Sequence, residues 1–281
     1  MNPIFEGITA NEAKDLVNFI ILTLHFELNK VKNSPVQNTS NDLIDRTNKM
    51  LIFNNFTQDF MSKNQSVISD IFYAINCNVT ECYNCHIKIY NYQTYFFIIF
   101  PLEEVRKYKM QLIMNNQNNF YNNNFNNNNF NNNEVNIYDC FDYDKKITFM
   151  SGDNAMYCNI CKQYTDCGMY TYLVTGPEIL ILLLNRGKEI QFNVKIYFVE
   201  ELNLFNYIEF NKTGFRYQLT GVIKHIGESL VKGHFIAYCR DPLTNLWYKY
   251  NDAIVSEVKD FQVEVINFGV PYLLFYQKIN N

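Results

Sequence analysis

The stretch Gly233–Asp252, GHFIAYCRDPLTNLWYKYND, decides how the chain is read. HFIAYCR and NLWYKYN are rich in aromatic and β-branched residues, and DPLT between them places Asp first and Pro second, as a type I turn favours. The stretch is therefore expected to be a hairpin. A four-residue loop Asp241–Thr244 sets Arg240 opposite Asn245, Tyr238 opposite Trp247 and His234 opposite Asn251. Opposed residues share one face of a sheet, close enough for an imidazole to bond a carboxamide. A His held by an Asn is the base and the orienting group of a cysteine-protease triad; it is equally a pair of core polar residues that satisfy each other.

Working outward, 281 residues suffice for a sizeable core, and 48% hydrophobic with 16% aromatic residues marks a globular chain. A net charge of −4 argues against a phosphate backbone as the principal ligand, so no nucleic-acid partner is expected. The opening MNPIFEGITANEAKDL lacks the basic and apolar blocks of a signal peptide. The runs TYFFIIFPL and ILILLL fall far short of the roughly 20 residues that cross a bilayer. No membrane association is expected, and the expected location is intracellular, cytoplasmic or nuclear or both.

The first helix is expected around Leu16, Phe19, Ile20, Leu22 and Leu24, with Glu12, Lys14, Asp15 and Asn18 on its polar side and Thr9 or Asn11 as cap. KNSPVQNTSND reads as a loop, and MLIFNNFTQDFM opens a further helical or extended segment. From Val67 the texture turns to short β-rich runs: SVISDIFYAINCNV, IKIYNYQTYFFIIF, YTYLVTG, EILILLLNR, FNVKIYFV and YQLTGVIKH. Helices first and strands afterwards indicate an α+β architecture. The tract 115–133, nearly all Asn with Phe120, Phe125 and Phe130 at intervals of five, reads as a disordered, Asn-rich insertion.

Four of the eight cysteines form two Cys-x-x-Cys pairs, Cys82/Cys85 and Cys158/Cys161, a metal spacing and not a secreted disulfide ladder. Two such knuckles complete a tetrahedral zinc site, and four thiolates leave no coordination position open, so the zinc is expected to be structural. The interval between the pairs exceeds that of a compact zinc ribbon, and the Asn tract lies inside it. Cys77, Cys140 and Cys167 read as packing residues, and His86, beside a ligand, as a surface residue.

Together these stretches resemble the ubiquitin-specific proteases. The resemblance rests on His225-Ile-Gly227, Gly233-His234-Phe235, the run Trp247–Asp252, PYLLFYQK at 271–278, PEILILLLNR, VEELNLFNYI and the two cysteine pairs, which stand where that family's fingers carry zinc. ANEAKDLVNFIILTLHFELN is similar to a family helix beginning Gln-Gln-Asp-Ala, with Ala13, Glu12 and Asp15 kept and both glutamines lost. The resemblance implies one papain-like cysteine-peptidase domain over 1–281, a hand with a truncated helical thumb (1–66) and β-rich palm and zinc-ribbon fingers (67–281). It implies thiol-dependent hydrolysis of the isopeptide bond after the ubiquitin C-terminus, with ubiquitin or ubiquitinated proteins as partners. His234 would be the base and Asn251 the group that orients it. Asp252 would lie near the oxyanion, although strict alternation turns it away from Asn251. Asp15 would meet ubiquitin's basic tail, and Gly227 and Gly233 would give mobility to a loop, Gly227–Lys232, that closes over it.

The departure concerns the nucleophile. The family carries it in a box ahead of that helix, whereas the first cysteine here is Cys77. Cys239 lies an odd number of positions from His234 and so on the opposite face of a strand. The chain by itself is expected to be inactive, either as a deubiquitinase domain separated from its nucleophile-bearing segment or as a ubiquitin-binding pseudoenzyme.

Overall fold

The computed structural model describes residues 12–31, 47–118, 134–186, 194–209, 215–229 and 232–279. Most of the Asn tract, the loop 32–46 and the caps proposed at Thr9 and Asn11 lie outside the described residues.

Strands β1 (Ala74–Cys82), β2 (Lys88–Tyr95), β5 (Thr148–Met150) and β8 (Cys167–Leu173) form a four-stranded sheet in the order β2-β1-β8-β5. The short hairpin of β6 (Met156–Cys158) and β7 (Gln163–Thr165) extends this finger-like half. The palm is an eight-stranded sheet of β3 (Ile98–Pro101), β9 (Ile179–Asn185), β11 (Glu201–Asn203), β12 (Arg216–Ser229), β13 (Lys232–Arg240), β14 (Trp247–Asn251), β15 (Ile254–Glu257) and β16 (Val270–Lys278). Its order is β15-β14-β13-β12-β16-β9-β3, with β11 also on β12; β16 is thus inserted between β12 and β9. β4 (Glu134–Asn136) pairs in parallel with β10 (Lys195–Tyr197).

The palm strands are held by apolar burial on both faces. β9 reads ILILLLN and buries Leu180, Ile181, Leu182, Leu183 and Leu184 to 6% exposure or less, as a strand covered on both sides should. One face meets Phe100, Val105, Phe141, Leu274 and Tyr276; the other meets Ile21, Ile68, Tyr272 and Leu273.

Helices α1 (Ala13–Leu28), α2 (Lys49–Lys63) and α3 (Val67–Phe72) precede the sheets, but α4 (Leu102–Asn118) and α5 (Ile137–Asp144) interrupt them. The strict order of helices before strands is therefore corrected. In α4, Leu102 and Val105 are fully buried one turn apart, and Glu103 pairs with Arg106 at 2.7 Å. SVISDIFYAINCNV is likewise a helix in its first half, because Ser66 and Ser69 cap each other's backbone before the strand begins.

α1 is also turned from its expected orientation. Ala13, Val17 and Ile21 face the core, whereas Leu16, Ile20, Leu22 and Leu24 are 39–47% exposed. Apolar residues occur on every side of this helix, so periodicity alone does not select the inward face. Its N-cap residue is Glu12, which makes no side-chain cap bond; its carboxylate accepts instead from the Tyr272 hydroxyl at 2.9 Å.

The hairpin register is shifted by two from the expected one: Arg240 pairs with Trp247, Tyr238 with Lys249 and Ala237 with Tyr250. The loop is wider than DPLT. The Asp241 carboxylate accepts from the amides of Leu243 and Thr244, and Asn245 sits at φ 60 before the strand resumes. A left-handed residue after a type I turn lengthens a hairpin loop in this way.

Candidate functional site

His234 is on β13 and Asn251 ends β14. In the corrected register they are diagonal neighbours, and a shift of two preserves the face each side chain occupies. His234 Nε2 lies 2.6 Å from Asn251 Oδ1. A carboxamide oxygen only accepts, so Nε2 carries the hydrogen and Nδ1 keeps the lone pair as the basic atom. The His234 side chain is 44% exposed, so the ring is open to solvent.

Asp252 does not follow the alternation of β14. It takes φ 51 in the two-residue turn to β15, and its carboxylate swings back to 3.7 Å from His234 Nε2. Its side chain is 81% exposed, so solvent screens its charge strongly.

Of the three residues expected to meet a partner, Asp15 lies exposed in the first turn of α1, near the buried Tyr272 hydroxyl. Gly227 has φ 150, a backbone angle side chains rarely adopt, beside a β-bulge. At Gly233 a Cβ would sit 2.1 Å from the His225 ring, so close packing requires the glycine.

Two neighbours on β12 had no assigned role in the sequence reading. His225 is 1% exposed and directly opposite Phe235. Burial, and secondly the nearby His234, push its pKa down, so it is neutral at physiological pH. Lys224 is fully buried, and its ammonium donates to the carbonyls of Glu264 (3.1 Å) and Phe268. Burial pushes its pKa down to about 8. Those carbonyls belong to the π-helical segment Gln262–Asn267 and its exit, so one lysine ties this segment to the palm. A hydrophobic pattern hides both residues, because each is a polar side chain in a buried position.

Cys82, Cys85, Cys158 and Cys161 converge, with all four sulfurs within 4.8 Å of one another. Sulfurs at about 2.3 Å from a tetrahedral zinc stand about 3.8 Å apart, and Cys82–Cys161 and Cys85–Cys158 are 3.9 and 3.7 Å apart. The four residues are thus a structural zinc site. The knuckles repeat one geometry: His86 N bonds Cys82 O and Lys162 N bonds Cys158 O, each at 2.8 Å, with His86 at φ 58 and Lys162 at φ 57. Asn84 Nδ2 donates to Cys161 Sγ at 3.2 Å, and the Thr165 hydroxyl lies 3.2 Å from Cys82 Sγ, supporting the ligands from outside. Cys77, Cys140 and Cys167 are buried to 1% exposure or less, as packing residues should be, and Cys239 is exposed on the strand face opposite His234. Among the described residues no helix is long and apolar enough to cross a membrane.

A family model described as ubiquitin carboxyl-terminal hydrolase matches residues 1–276. The chain is 26% identical over 281 residues to ubiquitin carboxyl-terminal hydrolase 2 of Bos taurus, covering 98% of this chain and 41% of that protein. It is 30% identical over 134 residues to ubiquitin carboxyl-terminal hydrolase 48 of Rattus norvegicus, covering 45% of this chain and 13% of the relative. The chain thus spans well under half the length of these curated relatives. Among solved structures it superposes on the yeast SAGA DUBm with TM-score 0.64 at 19% identity, over 96% of this chain and 51% of that one. A SAGA DUB module containing Ubp8, Sgf11, Sus1 and Sgf73, bound to monoubiquitin, gives TM-score 0.56 at 21% identity, over 82% and 47% of the two chains. At these identities the likeness concerns the fold: a papain-like hand with a helical thumb, a β-rich palm and zinc-bearing fingers.

Proposed function

The chain belongs to the ubiquitin carboxyl-terminal hydrolase family, and from that premise we propose that it is a ubiquitin-specific protease-type deubiquitinase domain in which His234 is the base, Asn251 orients it and ubiquitin is the recognised partner. The observation that carries the reading is the 2.6 Å bond from His234 Nε2 to Asn251 Oδ1. It fixes the tautomer and leaves Nδ1 as the base for a thiol. In the reaction, Nδ1 takes the thiol proton as sulfur attacks the carbonyl of ubiquitin's last residue, and the bond to the lysine nitrogen then breaks. The same proton goes to the departing lysine amine, and water then hydrolyses the thioester. Asn251 holds the ring throughout, and Asp252 lends a screened negative charge to the imidazolium. Asp15 and the Gly227 loop edge are the proposed contacts for ubiquitin's tail.

None of the eight cysteines is the thiol in this scheme. Four belong to zinc, three are buried and Cys239 is on the wrong strand face. That placement favours a second reading, a protein that binds ubiquitin without turning it over. One experiment separates the two. Ubiquitin binding is measured by calorimetry, and cleavage of a fluorogenic ubiquitin C-terminal amide is followed alongside it, for the native full-length protein and for its His234→Ala and Asn251→Ala variants. If it is a deubiquitinase, turnover should fall by about 10²–10⁴-fold in both variants with binding retained. Binding without turnover identifies the second reading. No ubiquitin binding refutes both.

A further inference from the structure

His225 stands out among the buried titratable groups because its position is matched by an absence across the sheet. The ring lies on the face of β12 opposite Phe235, edge-on to it with centroids 5.1 Å apart. Its Cε1 and Nε2 atoms occupy the space that a side chain at Gly233 would need: an added Cβ would fall 2.1 Å from both, and 2.7 Å from the Ile226 carbonyl oxygen. The imidazole therefore rests on the backbone of β13 one residue before His234, whose own side chain projects from the other face towards Asn251. Phe235, the next residue, is clamped in turn by Tyr272 at 5.2 Å, and Tyr272 by Glu12 of the thumb. The backbone that carries His234 is thus fixed from beneath on both sides.

We propose that His225 is a positioning residue for His234, its buried ring filling the place of a side chain at 233 and thereby setting the strand height from which His234 reaches Asn251. The proposal rests on the reading of His234 and Asn251 as base and orienting group, but it concerns their geometry and not turnover. A neutral ring suits the role, because a second cation beside His234 would oppose the imidazolium.

The test uses the full chain with isotope-labelled histidine, which has only four such residues: His25, His86, His225 and His234. Two signals are read by NMR, the exchange rate of the hydrogen-bonded Nε2–H of His234 and its chemical shift. In His225→Ala the Nε2–H should exchange faster, and its resonance should move upfield, as a lengthened hydrogen bond requires. His225→Phe keeps a flat ring and should retain both signals. Gly233→Ala should lose them, because its Cβ meets both the His225 ring and the Ile226 carbonyl oxygen. A folded His225→Ala protein with both signals unchanged overturns the proposal, even if its melting temperature has dropped. Should His225→Ala not fold, His225→Leu, which has bulk but no flat ring, is read by the same two signals and the same criterion. Loss of catalysis or ubiquitin binding moves neither signal, so the two readings fail independently.

Discussion

Removing zinc should unfold the fingers while leaving the palm intact. The segment most dependent on the metal is Met156–Thr165, the β6–β7 hairpin and its knuckle. Only Cys158 and Thr165 are buried in those strands; Tyr157 is 50% and Tyr164 is 73% exposed. Such a hairpin has almost no hydrophobic stabilisation, and two-stranded hairpins are marginal in water. Ordering a stretch of this length costs about 10–20 kcal/mol at about 1–2 kcal/mol per residue. Its few ladder bonds return about 1 kcal/mol each. The shortfall is close to the roughly 10–16 kcal/mol that structural zinc contributes in small domains. Hydrogen exchange by mass spectrometry, with and without a strong chelator, measures the result peptide by peptide. Protection should disappear from 156–165 and from the Cys82–Cys85 knuckle, while β9, β12 and β16 keep theirs. Cys158→Ser should reproduce the pattern with no chelator present. Unchanged protection in 156–165 after verified metal loss would refute the argument, since it would mean the hairpin is held by contacts other than the metal.

Two further outcomes follow from buried groups. Gly176→Ala places a Cβ 2.3 Å from the hydroxyl of Tyr217, which is fully buried and bonded to the Pro177 carbonyl at 2.9 Å; thermal unfolding should show about 1–3 kcal/mol of destabilisation. For Lys224 the folded value of about 8 lies below the unfolded 10.5, so the unfolded state binds more protons between those limits and stability rises with pH there. Wild-type stability relative to Lys224→Met should therefore increase by roughly 3 kcal/mol from pH 8 to 10.5 in urea titrations, at about 1.4 kcal/mol per unit; a constant difference would show that the lysine is not desolvated.

The chemistry of the site was legible in the sequence where it depended on parity and spacing. His234 and Asn251 share a face in either register, since the two-residue slip left parity unchanged. Cys-x-x-Cys carries its own geometry, and the four sulfurs meet as the spacing indicated. What failed depended on tertiary context. Asn245 in the left-handed region marked a longer loop, but DPLT gave a sufficient turn without it. α1 offers apolar residues on every side, and only the sheet beneath it selects Val17 and Ile21. Asp252 leaves the alternation because the chain turns at once into β15, a bend that a period of two does not encode. Lys224 and His225 were invisible as buried residues because their partners, main-chain carbonyls and the missing side chain of Gly233, have no sequence signature.

The position of β16 bears on how the protein is made. It is translated after every strand it joins, yet it lies between β9 and β12 and binds both. While the ribosome adds the residues from the end of β9 to Val270, roughly 4–20 s at about 5–20 residues per second, the nascent chain presents two open strand edges with nothing to bridge them. Folding of the palm must therefore wait until synthesis passes Lys278. A premature stop anywhere before Val270 would leave two half-sheets unable to join, a product for chaperones and proteases to clear.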